Sequence, residues 1–346
     1  MTIRSGTTAR CLASAWVVLA LSVAWPHGAA AMEREAAGPL RFALISPQSR
    51  QETEEKWTPV LTALGRYLGM TVEADVATDY AGAIWSLRSG RAQLAWLGNK
   101  GAMEAVDNAG AEVFAQQTYP SGLGGYYSYV IVAKESPLAD VDDLISTAAG
   151  LTLAQGDPNS TSGTVVPNYY LFSRRHLEPR KIFKRVTQAN HEDNIVAVAE
   201  GRADAATVAS VHYDQVGRKR PEVVAATRII WRSPLIPGDP LVWRKDLPPD
   251  LKARIAGFFL NYGVAGHGKK SAVLAEERAA LERLDVRSFV ASDNRQLMSV
   301  RLLELAKTRT QIEMDKSASP ADQSRRLKEI DRKIAEIDRL SNPAAN

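Results

Sequence analysis

The sequence predicts an α/β protein of two lobes around a cleft, followed by a helical extension. Three observations predict it. Short apolar runs alternate with helical periods from residue 40 onward. That rhythm restarts after residue 126 and is closed by the turn-rich stretch Pro234-Leu235-Ile236-Pro237-Gly238-Asp239-Pro240. Residues 296–346 then read as charged helices.

In the first lobe, Leu40 to Ile45 reads as a strand and Glu52 to Leu68 as a helix, with Trp57, Leu61, Leu64 and Leu68 on one face. Thr71 to Val76 is a second strand and Tyr80 to Leu87 a second helix. Leu94 to Leu97 is a third strand, followed by a helix through Ala102, Ala105 and Val106. Ala111 to Phe114 is a fourth strand. A βαβα order of this kind implies a mostly parallel sheet. The rhythm resumes with strands at Tyr127 to Ala133, Leu151 to Ala154, Ile182 to Val186, Ala203 to Thr207 and Thr227 to Ile230. Helices at 164–175, 192–200 and 210–218 lie between them. Pro137 and the 234–240 stretch are expected to be the crossings, since proline stops a strand from running on. The chain then returns to the first lobe through Leu241 to Arg244 and a helix from Leu251 to Tyr262. The expected bounds are 38–133 and 237–295 for the first lobe, 134–236 for the second, and 296–346 for the tail. In the tail, Ser319-Pro320 starts a helix as N-cap and N1. Leu327, Ile330, Ile334, Ile337 and Leu340 form a narrow apolar seam on it. That seam is expected to lie on the protein's own body, with Leu297 to Met314 as partner, or to form a homodimer.

The N-terminus carries the marks of a cleaved secretory signal over residues 1–31. Arg4 and Arg10 precede an apolar stretch from Cys11 to Trp25, and Ala29-Ala30-Ala31 offers a cleavage site. Net charge is +4, of which Arg4 and Arg10 supply two, so nucleic acid is not an expected partner. Cys11 is the one cysteine, so the secreted chain would hold no disulfide, thiol nucleophile or cysteine metal site. No HExxH, GxSxG or GxGxxG motif is present, and neither catalysis, a metal nor a cofactor is expected.

The strongest local signal is Gly156-Asp157-Pro158-Asn159-Ser160-Thr161-Ser162-Gly163-Thr164, between a strand and a helix. Three hydroxyls at a helix N-terminus suit an oxyanion. They also suit plain helix capping. Asp79-Tyr80-Ala81-Gly82 repeats the layout in the first lobe. Gly124-Gly125-Tyr126 suggests close backbone approach. His191 heads a helix, and Asp239 sits in the proline-rich turn.

Four stretches resemble one family, the periplasmic phosphonate-binding proteins of phosphonate ABC transporters. They are Ala77-Thr78-Asp79-Tyr80-Ala81-Gly82, Trp96-Leu97-Gly98-Asn99-Lys100, Gly156 to Gly163, and Ser233 to Pro240. The resemblance runs from Leu40 into the tail. It implies a two-lobed, hinge-closing fold of the type II periplasmic binding class, a phosphonate ligand and an inner-membrane permease as partner. It implies that Ser160, Thr161, Ser162 and Gly163, with Tyr80, Tyr126 and His191, hold the phosphonate, and that Asp239 pairs with the amine of 2-aminoethylphosphonate. One position departs: Val211 stands where the family member that binds 2-aminoethylphosphonate tightly has a second acidic residue, a glutamate. Removing one partner of a buried ion pair costs about 3–5 kcal/mol. A weaker preference for the amine is therefore expected, unless His212 or Asp214 compensates. A phosphate or phosphite transporter, a ligand sensor feeding a membrane kinase, and an enzyme acting on phosphonates remain as alternatives.

Overall fold

The computed structural model describes residues 2, 38–266 and 268–341. The chain divides into Met1–Gly38 and Pro39–Asn346, and the architecture below is that of the second unit. The expected signal segment lies outside the described residues, apart from Thr2.

The first sheet contains β1 (Leu40–Leu44), β2 (Val72–Val76), β3 (Leu94–Trp96), β4 (Ala111–Thr118), β12 (Pro240–Arg244) and β13 (Ser288–Ala291), in the order β13-β4-β12-β3-β1-β2. The second contains β6 (Ser128–Ala133), β7 (Thr152–Gln155), β8 (Arg185–Gln188), β9 (Ala205–Ala209) and β10 (Thr227–Arg232), in the order β10-β6-β9-β7-β8. A two-stranded pair, β5 (Gly125–Tyr126) with β11 (Ile236–Pro237), carries the chain out of the first sheet and back again. At this pair Gly125 is required by space. A Cβ there would lie 1.9 Å from the Ile236 carbonyl oxygen.

The structure corrects three expectations. Ser128–Ala133 was assigned to the first lobe by the bound at 133, but it pairs antiparallel with β9 and β10 in the second sheet. The first crossing is therefore β5, not Pro137, which follows β6. Both sheets are mixed rather than mostly parallel, because each strand that returns from a crossing adds antiparallel. A smaller shift occurs at Ile182–Val186. Pro179 starts a short helix through Ile182, so the strand begins only at Arg185.

The helices follow local chemistry. In α1 (Arg50–Leu68), the Ser49 hydroxyl accepts from Glu52 N at 3.1 Å, and Gly69 ends the helix at φ 67°. Its face Trp57, Leu61, Leu64 and Leu68 is buried as the spacing predicts. Trp57 packs its ring 5.3 Å from Phe42 and 5.4 Å from Trp96. In β6, Val130 and Val132 enter the core on one sheet face while Ile131 enters the core on the other. Both faces are covered, which is why this strand reads as a continuous apolar run rather than an alternation.

The remaining helices used below are α2 (Tyr80–Arg88), α3 (Asn99–Asn108), α4 (His191–Ala199), α5 (Ser210–Lys219), α6 (Pro249–Asn261), α7 (Ser271–Leu284), α8 (Met298–Met314) and α9 (Pro320–Ser341). Helix α8 packs on α3 and on the helical segment 161–175, so it touches elements of both sheets. Buried Lys100 ties it down with Nζ 3.2 Å from Glu304. Helix α9 packs on α8 of the same chain, with Ile330 buried and Leu327, Ile334 and Ile337 half-buried. The expectation of a homodimer through this seam finds no support.

Candidate functional site

Strands β1, β2 and β3 run parallel, as do β7, β8 and β9. Ligands in such sheets bind beyond the carboxyl ends of the strands. Here the N-termini of α1, α2, α4 and α5 line the space between the lobes, and those of α3 and of the segment starting at Thr161 meet across it through Lys100 N and Thr161 Oγ1. Each brings partial positive charge and backbone N–H groups without an intrahelical partner.

The mouth of this space is a cleft of about 410 Å³, lined by Gln48, Asp79, Tyr80, Asp157, Ser160 and His191 among others. Deeper in lies a cavity of about 30 Å³ lined by residues that include Trp57, Trp96, Val211, His212 and Asp239. The lobes are closed on one another. Lys100 N donates across the cleft to Thr161 Oγ1 at 2.9 Å, and His191 N donates to the Pro47 carbonyl at 3.0 Å. Tyr80, Tyr126, Ser160, Thr161, Ser162, His191 and Asp239 are all buried.

The Ser160 turn performs both functions open to it in sequence. Ser160 Oγ accepts from Gly163 N at 3.0 Å, a true N-cap. An oxygen that accepts still donates, so the hydroxyls of Thr161 and Ser162 keep a proton for a ligand, while that of Ser160 lies against the Tyr80 phenol. The turn is held by Thr164 Oγ1, which donates to the Gly156 carbonyl at 3.0 Å, and by Gly156 N, which donates to the Gly163 carbonyl at 3.0 Å. Gly156 and Gly163 lie so close that a Cβ on either would stand 2.8 Å from the other's Cα. Thr161–Val165 is wound as a π-helix, with Val165 N reaching back to the Ser160 carbonyl at 3.1 Å.

His191 Nδ1 accepts from Ala209 N at 3.2 Å, so the ring proton sits on Nε2 as a donor. Burial, then the neighbouring His212, holds its pKa well below the usual range, which keeps the ring neutral. His212 stacks on it with ring centroids 5.0 Å apart, and burial pushes its pKa down to about 4. Tyr80 stays protonated because burial, Asp239 and Asp157 raise its pKa.

Tyr126 and Asp239 form a pair: the phenol donates to Oδ1 at 2.9 Å. Burial pushes the Asp239 carboxyl up to about 7, against the Tyr126 hydrogen bond, which lowers it. Tyr126 thus offers its proton to Asp239. Of the eight residues expected from sequence, Tyr80, Ser160 and His191 line the cleft mouth, Asp239 lines the inner cavity, and Tyr126 lines a pocket on the hinge side, while Thr161 bonds across the lobes to Lys100 N. Of the two candidates to compensate Val211, His212 lines the inner cavity, while Asp214 is exposed and lies on the hinge side.

Sequence reasoning missed Gln48, Lys56 and Gly98. A Cβ on Gly98 would lie 3.3 Å from Thr161 Oγ1 and 3.9 Å from Asp239 Oδ1, so this glycine stands between the lobes at the centre of the site. The signal was present: Gln48-Ser49 and Gly98-Asn99 repeat the strand, polar turn and helix layout read at Asp79 and Gly156.

Two lobes, a paired hinge and a closed cleft ringed by helix N-termini define a type II periplasmic binding protein. The chain belongs to the family described as ABC transporter, phosphonate, periplasmic substrate-binding protein, which matches residues 42–297. It is 41% identical to the phosphonates-binding periplasmic protein of Escherichia coli over 303 residues, covering 88% of this chain and 87% of that one. It is 38% identical to the crystal structure of a binding-protein component of an ABC phosphonate transporter from Pseudomonas aeruginosa. The match has a TM-score of 0.83 and covers 89% of this chain and 99% of the other. A Prochlorococcus marinus protein solved in complex with methylphosphonate shares the fold, with a TM-score of 0.67 at 19% identity and coverage of 78% and 98%. The chain is therefore a periplasmic phosphonate-binding component of an ABC transporter, a substrate carrier rather than an enzyme. No helix among the described residues is long and apolar enough to cross a membrane.

Proposed function

We propose that the cleft captures an organophosphonate such as 2-aminoethylphosphonate or an alkylphosphonate and delivers it to the inner-membrane permease. The hydroxyls of Ser160, Thr161 and Ser162, with the Tyr80 hydroxyl and His191 Nε2, hold the phosphonate oxygens. Gly163 keeps the turn tight beneath them. Asp239, with Tyr126 on one oxygen, faces the carbon tail. The observation that supports this reading best is the set of helix N-termini converging on the Ser160 turn. Neutral hydroxyls, N–H groups and dipole ends hold a dianion without a fixed countercharge, so it can be released.

The lobe-to-lobe hydrogen bonds Lys100 N to Thr161 and His191 N to Pro47 then form on closure, and the closed form is the one that docks on the permease. Small-angle scattering and tryptophan fluorescence test this, since Trp57 and Trp96 line the inner cavity. Methylphosphonate or 2-aminoethylphosphonate is expected to reduce the radius of gyration and shift the emission. An unchanged radius and spectrum with every phosphonate would refute the proposal.

A further inference from the structure

Gln48 ends the turn after β1 and lines both the cleft mouth and the inner cavity. It is 5% exposed. Its Oε1 accepts from Lys56 Nζ at 3.0 Å, and because an ammonium only donates, this contact fixes which end of the amide is oxygen. The amide nitrogen is buried and donates to no acceptor among the described residues. Buried polar groups are nearly always paired, so such a donor on a ligand wall points to an acceptor on the ligand.

Several other polar groups of the wall can be assigned from their partners. Trp96 Nε1 is already used, donating to Gln117 Oε1 at 3.2 Å. Gln215 Oε1 accepts from Lys56 Nζ at 3.4 Å, so the 3.2 Å contact with His212 Nδ1 requires the proton on the ring, leaving His212 Nε2 as an acceptor. Asp239 is the second acceptor, and Val211 offers neither. The cavity thus holds acceptors at Asp239 and His212 and a buried unpaired donor at Gln48, beside the Tyr119 phenol and the amides of Gln117 and Gln215. An alkyl tail matches none of these groups. A bare ammonium matches Asp239 and His212 but leaves the Gln48 nitrogen unpaired. A tail that also carries an oxygen satisfies both sets. One water-sized group needs about 10–15 Å³ on this measure, so a cavity of about 30 Å³ admits a hydroxyl or one end of a carboxylate.

We propose that this cavity selects phosphonates whose carbon tail carries a hydrogen-bond-accepting oxygen, and that Gln48 is the specificity-determining residue that reads it. The proposal rests on the reading that the phosphonate group occupies the Ser160 turn.

The test is calorimetric titration of the wild type and Gln48→Leu with four probes. These are methylphosphonate, 2-aminoethylphosphonate, 1-hydroxy-2-aminoethylphosphonate and 2-amino-3-phosphonopropionate. One oxygenated probe at least is expected to bind the wild type roughly tenfold tighter than 2-aminoethylphosphonate. The probe that does so identifies the oxygen as hydroxyl or carboxylate. Gln48→Leu is expected to remove most of that advantage, read as the ratio of oxygenated-probe to methylphosphonate affinity in each protein. The wild-type ratio stands as a test even if the variant fails to fold. Equal wild-type affinities for oxygenated and plain tails, or an unchanged preference in Gln48→Leu, would overturn the inference while leaving the phosphonate reading intact. Binding of no phosphonate at all would overturn that reading first and the inference with it.

Discussion

Replacing Asp239 by asparagine isolates the electrostatic cost that the cleft stores. In the closed form the carboxyl is fully buried and titrates at about 7. In an unfolded chain it titrates near 3.9. Because the folded value is the higher one, the fold favours the protonated acid. The stability this contributes is complete below about pH 4 and is lost as pH rises toward 7. A gap of about 3 units, at 1.36 kcal/mol each, corresponds to about 4 kcal/mol, an upper bound because opening of the cleft returns the carboxylate to water. Asparagine mimics the neutral acid, and its oxygen still accepts from the Tyr126 phenol. Asp239→Asn is therefore expected to match the wild type at pH 4 and to exceed it by up to about 4 kcal/mol at pH 8, without ligand. Urea denaturation at several pH values between 4 and 8 measures this. Parallel stability profiles for the two proteins would refute the argument that burial holds Asp239 near its titration point. The same chemistry bears on binding: a ligand cation beside Asp239 would restore the ionised form, so the cost is relieved only when the cleft closes on the right tail.

Two further substitutions probe the turn and the closure. Gly163→Ala places a methyl 2.8 Å from the Gly156 Cα and 2.9 Å from Ser160 Oγ, where backbone cannot give way. It is expected to destabilise the second lobe by about 1–3 kcal/mol by thermal melting and to abolish phosphonate binding in calorimetry. An unchanged melting temperature would count against the packing of that turn. Thr161→Val keeps the shape but leaves Lys100 N without its acceptor in the closed form. A buried donor left unpaired costs about 1–3 kcal/mol, so phosphonate affinity should fall by roughly 5- to 150-fold. An unaltered affinity would show that this contact plays no part in closure.

Much of the architecture is legible in the sequence because the elements carrying it are strongly periodic. The face of α1 and the apolar run of β6 fix their elements without tertiary help. The hinge was harder to read. Gly125–Tyr126 and Ile236–Pro237 form two-residue strands, too short for any period to show, and their pairing is set by contacts far apart in sequence. Pro137 attracted the crossing because proline punctuates chains in many settings. In the site, the Ser160 turn could be read because hydroxyls, glycines and a helix start coincide there. Gln48 shares the strand, polar turn and helix layout, but its role is not legible there, since only the Lys56 contact shows which way its amide points. The Asp239–Tyr126 pair joins residues more than a hundred positions apart, and the two crossing strands alone bring them together.

The central claim is that the cleft holds a phosphonate against the Ser160 turn. Its most direct test is parallel calorimetric titration of the purified protein with 2-aminoethylphosphonate, methylphosphonate and phosphate. The account predicts that a phosphonate binds more tightly than phosphate, at one site per chain. Preferential binding of phosphate, or binding of none of the three, would contradict it.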